Sequence, residues 1–418
     1  MMPGRPGLPT VSGVRKSLIL PVAVAAGLLS LSTPVAASAA APDTTPPPMS
    51  AVRPSGLDPE LLNRMLDEVA AAGAPAVLAE ARVGEQTWSG ARGARSPGSP
   101  VQTRPTDRVR VASLTKSMVA TVLLQLVREG RVGLDDPIAR HLPGLLPYPE
   151  TITVRQLLGH TSGISEYILD DLYPSVNAGS AEDVRTNRYR AYTPRQLVAM
   201  ATSRPLLFAP GTGFSYSNAN YVIIGLLIEK LTGHSAESEV TNRVLRPVGM
   251  HDSYMPHSLP FILGPHPSGN YATGDPNDPL VDSTDLSPTQ FFTAGAVIST
   301  PHDINNFYRA MFDGTLLSPE LLAEARHFND VWQGMYGLGV LGLPLPDDCA
   351  AVPGHVVYGH TGGGLGYTTY SFSSPDASRQ ITFTYTLDST LDPKTAAKLG
   401  AAANRLGVAA LCSTDPAA

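Results

Sequence analysis

Apolar residues along the chain recur at helical spacing in some segments and alternate in others, and the order of the two patterns predicts the architecture. Pro59 to Ala72 carries apolar positions at helical intervals, and Asp58 stands where an N-cap is expected. Ala76 to Ala81 and Gln86 to Ser89 read as two strands around a Val83-Gly84-Glu85 turn. Ser113 to Glu129 is apolar nearly all round, which predicts a helix buried at the centre of the fold and ended by Gly130. From about 131 to 295 the chain is rich in Pro, Gly, Asn and short helical patches, with Tyr221 to Leu231 the clearest helix. Gly366 to Phe372 and Gln380 to Leu387 alternate as strands, and Lys394 to Leu411 closes as a helix.

Strands near both chain ends bracket a helical middle. This order predicts an α/β fold: an antiparallel sheet built from both termini, flanked by helices, with an inserted, mostly helical lobe. The expected boundaries are an α/β part at about 56–125 and 296–412 and a helical part at about 126–295. A site is expected in the crevice between them. No period of 20–50 residues repeats, so the chain is no solenoid.

The N-terminus changes the expected location. Arg15 and Lys16 precede an apolar run from Ser17 to Leu31, and Ala37-Ser38-Ala39 offers a small-x-small cleavage site. The run is short for a spanning helix and contains Pro21. Residues 1–39 are therefore read as a signal peptide, 40–55 as a flexible linker and 413–418 as a tail, and the mature chain is expected to be secreted and free of the membrane. Export makes a Cys349–Cys412 disulfide the expected state of the two cysteines, with two buried thiols as the alternative. Two cysteines without a paired-histidine motif do not make a zinc site.

Composition narrows the partners. With 43% hydrophobic residues the 418-residue chain can bury a large core, and its formal net charge of −6 disfavours nucleic acid. No nucleotide loop, metal cluster or dinucleotide fingerprint is present, so no cofactor or metal is expected.

Three short segments carry candidate chemistry. Ser113 and Lys116 stand three residues apart at a helix start, which places hydroxyl and amine on one face. A serine needs a neighbouring base to become a nucleophile, and a buried lysine has reason to lose its proton. Tyr216 and Asn218 precede the second clear helix. A phenol acts as a base only where a cation lowers its pKa, and Lys116 is the candidate cation; Asn218 offers an amide to substrate and lysine. His360-Thr361-Gly362-Gly363 reads as a strand edge along which a substrate backbone can lie. The N–H groups of Gly363 and Ser113 would be its oxyanion donors.

In this chain order, the three motifs are variants of the S-x-x-K, S-D-N and K-T-G set. The chain resembles the serine DD-peptidase and class C β-lactamase-like family, the penicillin-binding serine hydrolases, and within it the secreted D-alanyl-D-alanine carboxypeptidases of actinomycetes. The similarity extends through Arg108–Ser117, Leu123–Val127, Leu142–Pro147, Ile152–Ile164, Phe214–Ser235, Val281–Thr284, Ala294–Thr300, Tyr336–Val340 and Val357–Gly362, from about Leu57 to Cys412. It implies Ser113 as the acylated nucleophile, proton transfer shared by Lys116 and Tyr216, and Asn218 as substrate holder. His360 takes the place other members give to lysine, Thr361, Gly362 and Gly363 form the substrate edge, and the cysteine pair falls where relatives place a disulfide. Which of Lys116 and Tyr216 is the formal base stays open; the two are expected to titrate together, and a protonated His360 is expected to make activity pH-sensitive near 6–7.

The pattern departs from the carboxypeptidases where they grip a substrate carboxylate. Their arginine after the Tyr336–Val340 segment and their threonine after the third motif are replaced here by Leu341–Pro346 and Gly363. No Lys or Arg occurs between Arg326 and Arg379. The expected function is that of a D-alanyl-D-alanine carboxypeptidase-like serine hydrolase or acyltransferase on D-amino-acid peptides, with a preference for neutral amide, ester or internal donors. A protonated His355 or His360 would partly substitute for the lost arginine. Alternatives are a β-lactamase or esterase of the same fold, or a non-turnover protein binding β-lactams or peptidoglycan fragments. The partner expected is a D-amino-acid-containing peptide or β-lactam, bound by a monomer. His160 is expected to fix a loop at the cleft mouth, and Asp282–Thr284 to form a turn lining the site.

Overall fold

The computed structural model describes residues 56–148, 151–328 and 335–412. The segments read as signal peptide, linker and tail lie outside the described residues.

Helix α1 (Pro59–Ala71) starts where Asp58 accepts a hydrogen bond from the Leu61 N–H, and it buries Leu62, Leu66 and Val69. Strands β1 (Ala76–Val83) and β2 (Gln86–Gly93) form the first hairpin, and β3 (Val109–Arg110) leads to α2 (Leu114–Arg128). Every residue of α2 from Leu114 to Leu126 is buried, as its all-round apolar sequence requires. In the inserted lobe come α3 (Val154–Leu158), α4 (Pro194–Ala201) and α5 (Asn218–Thr232), the first two opened by Thr capping boxes. Short strands β4 (Asn270–Ala272), β5 (Leu280–Asp282) and β6 (Ile298–Ser299) follow, then α6 (Pro301–Phe312). The chain ends with β7 (Leu341–Pro344), β8 (Val356–Gly364), β9 (Tyr367–Ser373), β10 (Arg379–Tyr385), β11 (Leu387–Asp388) and α7 (Pro393–Cys412).

The main sheet has the order β2-β1-β10-β9-β8-β7, so the two chain ends meet where β1 pairs antiparallel with β10. Both flanks are covered. On one side α1 and α7 pack over an apolar layer that includes Leu66, Val77, Phe383 and Leu406. On the other lie α6 and the larger core around α2 and α5. A buried Arg82–Glu80 pair, 2.7 Å apart, with Asn305 reaching Glu80, ties α6 to β1. The mixed α/β architecture is thus the one the pattern predicts.

The details differ in two places. The boundary expected near residue 125 falls inside α2, which belongs to both parts because it is packed from all sides. Strands β4 and β5 join β11 in a three-stranded sheet, so the insertion is not purely helical. Three-residue strands leave too short an alternation to be legible.

Cys349 and Cys412 form a disulfide across 63 residues. It pins the end of α7 to the loop between β7 and β8. Closing a loop of that length stabilises by about 4 kcal/mol in the chain-entropy account. A Cys349→Ala/Cys412→Ala double variant is expected to lower Tm by several degrees while a fresh sample keeps its activity. Calorimetry with and without reductant checks this, and an unchanged Tm would contradict it.

Candidate active site

The nucleophile candidate owes its position to a strained entry into α2. Ala112 takes a left-handed conformation, φ 48°, and Ser113 occupies the N-cap without making a side-chain cap bond. Its hydroxyl is left for Lys116, one turn on, whose Nζ lies 3.0 Å from Ser113 Oγ. Lys116 is completely buried. Nζ also donates to Asn218 Oδ1 and to the Ala294 carbonyl, both at 2.7 Å. Burial pushes the Lys116 pKa down to about 7, with Glu166 opposing the shift. A neutral amine has two N–H groups and one lone pair. Asn218 Oδ1 and Ala294 O can only accept, so both N–H groups go to them and the lone pair is left facing the Ser113 hydroxyl, the one partner that carries a proton.

Tyr216 behaves differently from the sequence expectation. Lys116 Nζ sits over its ring, 4.9 Å from the centroid, rather than at its hydroxyl. Burial raises the phenol's pKa well above its ordinary value, and the Ser113 hydroxyl only partly offsets this. The phenol stays protonated. Its oxygen is buried beside Ser113 without a hydrogen-bond partner of normal geometry. The charged neighbour that acts on the Lys116 amine is Glu166.

Sequence reasoning does not single out Glu166, because a lone carboxylate in a Ser-Glu-Tyr stretch carries no spacing signal. It accepts the Asn218 backbone N–H at 2.7 Å and Nδ2 at 2.9 Å on one oxygen, and the Tyr167 and Ile168 N–H groups on the other. One side chain thereby fixes the start of α5 and the amide that holds Lys116. Asn218 spends its Oδ1 on the lysine and one Nδ2 proton on Glu166.

The opposite wall is β8. β7 pairs with it only from Val356 to Gly359, so among the described residues no strand pairs with the outer edge from His360 to Gly364, while β9 covers the inner one. Gly362 is obligatory there: a Cβ would stand 2.1 Å from the Val111 carbonyl. That close approach brings β8 against the segment leading into Ser113, and places exposed Gly363 beside the nucleophile's wall. Thr361 is buried next to it.

His360 does not sit in the cleft as a titrating cation. It is buried, its Nδ1 faces the Thr361 carbonyl and its Nε2 lies 3.0 Å from Tyr336 Oη. Burial first, and Lys116 second, push its pKa down to about 3. The expected pH sensitivity near 6–7 therefore passes from His360 to Lys116. His355 stands at the far, hairpin end of β8, its Nδ1 facing the Pro346 carbonyl, and so is not placed to replace the lost arginine. His160 does fix a loop, its Nδ1 accepting the Ser217 N–H, but it does so fully buried with its ring stacked on Tyr216 at 4.2 Å rather than at the cleft mouth. Ser283 and Thr284 are structural, bonding the Leu365 carbonyl and the Gly269 N–H. Among the described residues no three His, Cys, Asp or Glu side chains gather as metal ligands.

A seryl hydroxyl against a buried, depressed lysine, facing an open strand edge, defines a serine hydrolase. The family model described as Beta-lactamase matches residues 62–416, and the chain belongs to that family. Its structure is similar to that of a D-stereospecific amidohydrolase from Streptomyces sp., with a TM-score of 0.75 and 32% identity over 85% of this chain and 99% of that one. A D-amino acid amidase from Ochrobactrum anthropi follows at TM-score 0.71 and 25% identity, covering 84% and 97%. Esterase EstB from Burkholderia gladioli is 29% identical over 68% of this chain and 81% of its own. The match to the putative penicillin-binding protein PbpX of Bacillus subtilis, at 27% identity, spans 58% of this chain and 56% of PbpX.

Replacing Glu166 by Gln removes the charge that holds the Lys116 pKa up and confronts a backbone N–H with an amide NH₂. The acid limb of kcat/KM, centred near 7 in the wild type from the lysine, is expected to move to lower pH, with kcat reduced about 10- to 100-fold. A limb that stays in place or moves to higher pH would show that Glu166 does not set the lysine.

Proposed function

We propose that the protein is a secreted serine hydrolase that cleaves amides and esters of D-configured amino acids through an acyl-enzyme on Ser113. The observation that carries this reading is a complete Ser113–Lys116–Asn218 cluster beside a β8 wall that, among the described residues, offers a substrate carboxylate no arginine. The two arginines that bracket this stretch of sequence are engaged elsewhere. Arg326 lies over the rings of Phe312 and Tyr358 and donates to the Pro375 carbonyl, while Arg379 is buried and donates to Leu411 O. Two lost charge-assisted contacts of about 1.5–3 kcal/mol each amount to roughly two to four orders of magnitude against a free C-terminal acid. The amidohydrolase and amidase likenesses support the D-amino-acid part of the reading, EstB the ester part, and the leader pattern of residues 1–39 supports export.

In this mechanism neutral Lys116 takes the Ser113 proton as Oγ bonds to the substrate carbonyl carbon. The developing oxyanion is received by the backbone N–H groups of Ser113 and Gly363. Tyr216, protonated beside Ser113, gives its proton to the leaving nitrogen or oxygen as the acyl bond breaks, and the proton taken up by Lys116 returns to the phenolate by way of solvent. Water then attacks the ester with the same groups acting in reverse. Asn218 keeps the lysine aimed. The depressed lysine pKa makes kcat/KM rise with pH through about 7, because only the neutral amine is a base.

The test compares D-phenylalanine amide, D-phenylalanine methyl ester, their L-enantiomers and N-acetyl-D-Ala-D-Ala. The D-amide or D-ester is expected to exceed the free-acid peptide at least about tenfold in kcat/KM, and Ser113→Ala to lower turnover about 10⁴- to 10⁶-fold. A free-acid peptide that wins by tenfold would make this a carboxypeptidase with another carboxylate site. Equal rates on D- and L-forms would remove the stereochemical part of the reading.

A further inference from the structure

We infer that Tyr336 is a positioning residue, its hydroxyl holding the imidazoles of His160 and His360 in opposite neutral tautomers and so fixing the two cleft walls against each other. This rests on the hydrolase reading for its kinetic consequence, but not for the tautomers.

The hydrogen-bond partners determine the proton positions. His160 Nδ1 faces the Ser217 backbone N–H at 3.2 Å, which can only donate, and Asn220 Nδ2 at 3.2 Å, whose own Oδ1 takes the Ser162 hydroxyl. Nδ1 therefore bears a lone pair and the proton is on Nε2, pointing at Tyr336 Oη 3.2 Å away. On the other side His360 Nδ1 faces the Thr361 carbonyl, which can only accept, so the proton is on Nδ1. His360 Nε2 then presents a lone pair to Tyr336 Oη at 3.0 Å. The single phenolic proton goes to it. Tyr221, which also lies beside Tyr336, gives its own proton to the Leu158 carbonyl and so offers a second acceptor, but a phenol oxygen is far less basic than an imidazole nitrogen and is the weaker claimant for the Tyr336 proton.

The chain of donors runs one way: Ser217 N–H, His160, Tyr336, His360, Thr361 O. It starts in the loop that carries Tyr216 and Asn218 and ends on the strand that carries Gly362 and Gly363. His160 forms the floor under the Tyr216 ring. Tyr336 meets both imidazoles edge-on, at 4.8 Å and 5.6 Å between centroids. Protonation of either histidine would set an N–H against an N–H or an O–H, in the field of Lys116.

Histidine-selective ¹⁵N labelling and long-range ¹H–¹⁵N correlation of the full mature chain read the tautomers directly. Wild type and Ser113→Ala are expected to show His160 as Nε2–H and His360 as Nδ1–H, neither titrating between pH 5 and 8. In Tyr336→Phe both Nε2 atoms lose their partner. His360 is then expected to titrate in that range, and kcat to fall about 10- to 100-fold with KM changed much less. Its acid limb should gain a second, histidine-type step, a change that general loss of folded protein would not produce. A wild-type His360 carrying its proton on Nε2, or titrating near 6–7, overturns the inference even if the variant does not fold. So does a Tyr336→Phe protein with unchanged tautomers and pH profile. Correct tautomers with no turnover of any D-substrate would instead count against the hydrolase reading alone.

Discussion

A buried amine with three oxygen neighbours is the constraint on which the site depends. Taking Lys116 out of water costs several kcal/mol while it stays charged, so burial by itself brings its pKa toward neutrality. The same burial needs hydrogen-bond partners for its nitrogen, and these come from three separate parts of the chain: Asn218 at the start of α5 and the Ala294 carbonyl accept, and the Ser113 hydroxyl on α2's own first turn meets the lone pair. Holding one nitrogen in place thus docks the helical lobe and the segment before β6 onto α2. The burial of α2 on every face follows, because a helix that carries such a group must be enclosed all round.

The strand wall obeys a different requirement, close backbone approach. Gly362 against the Val111 carbonyl lets β8 lie nearer to α2 than any side chain allows, and with the early end of β7 no described strand pairs with the edge beyond Gly359. Neither wall touches Lys116 through His360, the residue that stands in the third motif. The link between the walls is instead the Tyr336 hydroxyl, reached from each side by an imidazole.

Much of this was legible in the sequence. All-round apolarity located α2, alternation located β1, β9 and β10, and the spacing of Ser113 and Lys116 within one turn placed their contact. Resemblance supplied what spacing lacks, the convergence of positions far apart in the chain. What stayed hidden had physical reasons. Glu166 acts through backbone N–H groups, most of them of its own loop, which no side-chain pattern signals. The protonation state of Tyr216 depends on whether the lysine meets its ring or its oxygen, a matter of a few ångströms. His360 reads as a cation in sequence because histidine titrates near 6.5 in water, and only its burial against Tyr336 shows it neutral.

The neutrality of His360 and the loss of the arginine act in the same direction. A lysine at position 360 would put a second ammonium near Lys116 and raise the positive potential over the β8 edge. The imidazole seen here adds none. With Glu166 accepting four N–H groups as a carboxylate, the charge of protonated Lys116 is already balanced, and deprotonation to the active amine leaves that carboxylate without its counter-charge. A substrate carboxylate approaching that edge meets no cation from β8 itself, and Arg110, which lines the cavity beside Gly364, is buried with its N–H groups donated to the Thr284 and Pro260 carbonyls. An amide or ester meets no such penalty. The specificity proposed for this enzyme therefore follows from the charge state its own catalytic base requires, and not only from the absence of a clamp.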